Sequence, residues 1–101
     1  MDVKDIVAIL RLHGQTLRRD FAVRRIGVFG SFAKGTESEK SDIDFYVEFE
    51  LSELDLDKYL RLIEYLEKLF NKKIDLVTKD GVESIRIPHI REEIKKEIVY
   101  A

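Results

Sequence analysis

The chain has 101 residues, 45% of them hydrophobic and 38% charged, and its 18 basic and 20 acidic residues leave a net charge of −2. That size suits one domain spanning residues 1–101 with a real core, and the near balance of signs argues against attraction to nucleic acid or membrane through net charge. Cysteine is absent, which excludes disulfides, zinc–thiolate centres and thiol catalysis; no apolar run is long enough to span a bilayer, and acids interrupt the first apolar stretch as they do not in a signal peptide, so the expected compartment is the cytoplasm.

Charge is unevenly spread. Residues 1–25 hold six basic and three acidic side chains, whereas residues 37–67 hold eleven acidic and three basic ones. The acidic middle would welcome cations, although most of a charged run is ordinarily a solvated face.

In chain order, Val3, Ile6, Val7, Leu10 and Leu17 recur at helical spacing, which predicts an amphipathic helix of about four turns. Residues 24–29 read as a short buried strand ending at Gly30, and residues 31–41 as a small polar loop with room for one helical turn. Residues 42–49 alternate, with Ile43, Phe45, Val47 and Phe49 on one face and Asp42, Asp44, Tyr46 and Glu48 on the other, the pattern of a half-buried strand. Ser52 and Asp55 suggest a capping box before a second helix, whose stripe is Leu56, Tyr59, Leu60, Ile63, Leu66 and Phe70. A third strand is expected over residues 72–78, then a turn at Asp80-Gly81. A last helix opens near Pro88 and is carried by Ile90, Ile94 and Ile98, with the tail to Tyr100 read as helical. The order α-β-β-α-β-α predicts an α/β (α+β) domain, a small mixed sheet covered by helices.

Three features of this scaffold bear on chemistry. Gly30-Ser31 directly follows a strand, where glycine lets the backbone turn and approach a ligand, and the Ser31 hydroxyl could meet phosphate oxygens; an ordinary turn would look the same. Asp42 and Asp44 sit two apart in a strand, on one face, and their repulsion would be relieved by a divalent cation such as Mg²⁺; two solvated acids are the plainer reading. Asp75 lies in an apolar strand from which Asp is normally depleted, where it could pair with Lys72 or Lys73, or complete a three-acid cluster suited to two-metal phosphoryl chemistry. Gly-Ser followed at fixed spacing by Asp-x-Asp specifies four residues, a chance match on the order of 10⁻³ in a chain of this length.

Gly30-Ser31-Phe32-Ala33-Lys34-Gly35, Ser41-Asp42-Ile43-Asp44-Phe45 and Ile74-Asp75-Leu76-Val77 together resemble the polymerase-β-type nucleotidyltransferase superfamily. Within it the chain is similar to the minimal nucleotidyltransferases that are often paired with HEPN-domain proteins in toxin–antitoxin modules. The resemblance implies that Asp42 and Asp44 bind two Mg²⁺ ions (or Mn²⁺), that Asp75 binds the catalytic ion and helps activate a hydroxyl, and that Gly30 and Ser31 hold the triphosphate of an NTP, with ATP expected. Lys34 stands where such proteins often carry Arg, keeping the charge but losing the bidentate fork. The implied activity is transfer of AMP to a hydroxyl, with tyrosine expected, of a small helical HEPN-type toxin, the chain acting as antitoxin.

Only 26 residues follow Asp75, so the wall that larger relatives build with a further domain would come from that partner or from a second copy of the chain. Two other readings share the motifs: a binding-only antitoxin with a vestigial site, and a nucleotidyltransferase for a small molecule. His13 and His89 have no ligand neighbour at helical spacing and read as structural. Arg18, Arg19, Arg24 and Arg25 form a basic cluster, either a solvated helix end or a contact for an acidic partner. Basic residues interleaved with aromatics, which would bind nucleic acid, are absent.

Overall fold

The structure, a computed structural model, describes residues 1–101. Helix α1 (Val3–Leu12) is opened by a capping box in which Asp2 accepts from the Asp5 backbone N–H at 3.0 Å and Asp5 accepts from the Asp2 N–H at 3.1 Å. The expected four-turn helix is in fact two. His13 leaves helical geometry, and α2 (Gly14–Phe21) restarts at the glycine, a poor residue for carrying a helix through. The break still brings Leu17 under the sheet beside Ile6 and Leu10, all but fully buried.

Strands β1 (Val23–Phe29), β2 (Ile43–Phe49), β3 (Ile74–Thr78) and β4 (Val99–Tyr100) form a mixed sheet in the order β3-β2-β1-β4. β1 runs antiparallel to β2 and β4, and β2 runs parallel to β3. Helix α4 (Leu56–Phe70) makes the crossover that parallel strands require. One sheet face carries Ile26, Val28, Ile43, Phe45, Val47 and Ile74 against Leu62, Leu66 and Phe70 of α4 and the two N-terminal helices; this is the main core. The opposite face carries a smaller cluster, Tyr46, Val82 and Ile98, under the short helix α5 (Lys79–Glu83) and α6 (Pro88–Glu97).

Three expectations at element ends change. Asp55 itself caps α4, accepting from the Lys58 N–H at 2.8 Å, while the Ser52 hydroxyl turns back to Glu50; no capping box forms. The Asp80-Gly81 turn is the body of α5, because the Thr78 hydroxyl accepts from the Gly81 N–H and starts a helical turn. The tail is not helical beyond Glu97. Ile98 is extended and buried, and Val99–Tyr100 adds a fourth strand to β1. Gly27 permits this: a Cβ there would lie 2.6 Å from the Ile98 Cγ2 and 3.0 Å from the Val99 carbonyl oxygen. Two β-branched residues meeting a free sheet edge with a bare glycine favour the strand. No helix is long and apolar enough to cross a membrane.

Candidate active site

The five residues singled out in the sequence fall at one end of the sheet, where β1 finishes and β2 and β3 begin. Alternation turns the main-core residues of β2 one way and Asp44, Tyr46 and Glu48 the other. The parallel register then pairs Asp44 with Asp75, and the antiparallel register sets Phe29 across from Asp44. Asp44 and Asp75 therefore share a face, and the Asp75 charge acts on the Asp44 carboxyl. Partial burial, then the neighbouring Asp75 and Asp42 charges, push the Asp44 carboxyl up to about 6.

Gly30 meets this pair from the other side. It opens helix α3 (Gly30–Lys34) with φ of 73°, a region closed to most side chains, and any Cβ there would run into the Asp44 carboxylate. The backbone of the Gly-Ser turn is thus packed directly on Asp44, with Ser31 next to it and half-buried. Helix α3 has only five residues, too short to persist by helix formation alone. Phe32 roots it in the main core, Gly35 ends it in the left-handed region, and the Thr36 N–H closes it on the Ser31 carbonyl at 2.9 Å.

Asp42 lies just before β2, on the exposed side of the strand start. The loop leading to it is fastened by Lys72, whose ammonium donates to the carbonyls of Glu39 (2.9 Å) and Ser41 (3.1 Å). Lys72 is therefore committed to the loop, and Asp42, Asp44 and Asp75 take part in none of the seven ion pairs. Lys34 has a partner that local sequence did not suggest. Its ammonium lies 3.0 Å from Glu97, on α6, a bond that also raises the lysine's affinity for its proton. Neither contact has a sequence signal, since the partners lie 31 or more residues apart.

Tyr46, on the same face, is buried and donates to Glu48 at 3.0 Å; burial and that bond push its hydroxyl up, so it stays protonated at neutral pH.

Two carboxyls in register beside a third acid are a natural seat for a hard divalent cation, which would relieve their repulsion. The donor chemistry fits, but no three acidic or histidine side chains stand at ligating spacing.

A glycine-only approach to paired carboxylates, at the ends of strands in a small mixed sheet, is the arrangement that the Gly-Ser and Asp-x-Asp spacing anticipates. Residues 10–101 match the profile of the nucleotidyltransferase domain, and the chain belongs to that family. The protein adenylyltransferase MntA of Thermococcus cleftensis is 40% identical over 100 residues, spanning 99% of this chain and 96% of the relative. Among solved structures, one provisionally described as a minimal nucleotidyltransferase superposes with a TM-score of 0.74 at 33% identity, covering 98% of this chain and 95% of that one. A toxin–antitoxin structure with AMP-PNP superposes with a TM-score of 0.54 at 26% identity, over 84% of this chain and 60% of that one.

Proposed function

We propose that this nucleotidyltransferase moves AMP from ATP to a tyrosine hydroxyl of a small helical, HEPN-type partner protein and thereby acts as its antitoxin. The observation that carries the reading is the in-register Asp44–Asp75 pair with the Gly30 backbone packed against it. The adenylyltransferase name of the Thermococcus relative and the AMP-PNP of the toxin–antitoxin neighbour support the nucleotide and the kind of partner.

In this reading Asp42, Asp44 and Asp75 hold two Mg²⁺ ions, or Mn²⁺, and Gly30 and Ser31 receive the triphosphate. The ions, when bound, neutralise phosphate charge and make the hydroxyl proton easier to lose. The hydroxyl oxygen forms a bond to the α-phosphorus, the bond between the α- and β-phosphates breaks, and pyrophosphate leaves. Asp75, the more exposed of the paired acids, faces the acceptor and takes its proton, while Gly30 and Ser31 keep the α-phosphorus in line. The chain works as one cytoplasmic domain, with the partner or a second copy walling the site.

The absence of a ready three-ligand group favours a second reading, a binding-only antitoxin with a vestigial site. Co-expression with the partner separates the two. The wild-type chain should add the mass of AMP to the partner, and Asp75→Asn should stop the transfer while keeping most of the ATP binding. A neutralised partner that carries no added mass would establish the binding-only reading.

A further inference from the structure

At the other end of β1, away from the acids, a cavity of about 210 Å³ opens between the α1–α2 elbow and residues 23–26. Its floor is apolar, formed by the buried Leu10, Leu17 and Ile26. Its charged side chains are of one sign, Arg11, Arg18, Arg24 and Arg25, half of the chain's eight arginines, with no acidic side chain among them; Ala101 also lines it. The Arg25 guanidinium turns to the other face of the sheet, where it lies 3.5 Å over the Tyr100 ring, so Arg11, Arg18 and Arg24 are the arginines left to make the cavity rim basic, on a chain of net charge −2. Internal compensation is partial. Arg24 reaches Glu50 only at 3.8 Å and Arg25 reaches Glu48 at 3.7 Å, while Arg11 and Arg18 belong to no ion pair.

Gly14 stands in the lining of the same cavity. Its backbone is not in the left-handed region, so no conformation demands glycine, and a Cβ there would meet nothing within 4 Å. Alongside, the β4 side of β1 is unpaired over residues 23–25, which leaves backbone polar groups within reach of an extended chain.

We propose that this cavity docks an acidic, partly apolar extended segment of a partner protein, at a site separate from the carboxylate pair. The arginine forks match carboxylates, and the floor takes the aliphatic side chains between them. A peptide fits better than nucleic acid, because no aromatic face lines the cavity on which a base could stack.

The test uses a fluorescein-labelled synthetic peptide of alternating Glu and Leu, followed by fluorescence anisotropy at rising salt. Binding should weaken as salt rises, and a Gln–Leu control peptide should bind far less. Arg11→Gln with Arg18→Gln should lower the affinity about tenfold or more, and Gly14→Leu should do the same with every charge intact. Thermal melting by circular dichroism checks that each variant is folded. No binding of the Glu–Leu peptide, equal binding of the Gln–Leu control, or unchanged affinity in folded variants would overturn the proposal. So would tighter binding of a labelled single-stranded RNA that the same substitutions abolish.

Discussion

At position 30 two constraints coincide: a backbone φ of 73° and a carboxylate occupying the space of a Cβ. Gly30→Ala should therefore cost about 1–2 kcal/mol from conformation alone, read by thermal melting, and push Asp44 aside. Transfer activity should fall further than stability does, because the turn and the acid are displaced together. At position 44 the carboxyl titrates near 6 in the folded chain against an ordinary value of 3.8. Between those values the folded state holds more protons than the unfolded one, so the metal-free protein should lose stability as pH rises through this window. Asp44→Asn should flatten that slope and melt no lower than wild type at neutral pH without metal. A variant that kept the wild-type slope would place its origin in another group. The sequence marks both residues through the Gly-Ser and Asp-x-Asp spacing. It does not show that Gly30 is pressed against Asp44, since that contact needs the register of β1 on β2.

Among the elements, α4 shows how local and long-range information divide. The stripe from Leu56 to Phe70 predicts the helix and its buried face, since side chains at such spacing fall on one side. Its start lies three residues after Ser52, because Ser52 and Asp55 are both good caps and only Asp55 lies where the chain turns into the helix. Asp55→Ala should cost about 1 kcal/mol and lower the melting temperature by roughly 4–8 °C, with Ser52→Ala close to neutral. The last strand depends on tertiary structure throughout. Gly27→Val should drive Ile98 and β4 from the sheet, so that the Ala101 amide, which donates to the Ile26 carbonyl, loses protection in hydrogen exchange while the main core, on the other face, keeps its own. The break between α1 and α2 is of intermediate kind: His13-Gly14 is a visible weak point, but the periodicity through Leu17 reads straight across it.

For the whole molecule, the arrangement separates stability from chemistry. The main core lies on one face of the sheet, whereas the paired acids lie on the other, beside the smaller cluster under α5 and α6. Changes to the acids should therefore leave the fold standing. Mg²⁺ with ATP should raise the melting temperature of the wild-type chain by mass action, and Asp42→Asn with Asp44→Asn should abolish the rise without unfolding the protein. An unchanged ligand-induced rise in that double variant would place the nucleotide elsewhere.

By itself the sequence determined the alternation of β2, the amphipathic helices, the fold class and the spacing of Gly30, Ser31, Asp42, Asp44 and Asp75, because these follow from periodicity and residue chemistry over short stretches. Tertiary structure decided which of these residues meet. Sheet order sets Asp44 against Asp75 rather than leaving Asp75 to pair with Lys72, and it leaves Asp42 on the exposed flank. It also joins Lys34 to Glu97 and gathers Arg11, Arg18, Arg24 and Arg25 around one cavity. Contacts across tens of residues come from strand register and helix placement, which minimise the free energy of the whole chain and leave little trace in any local window.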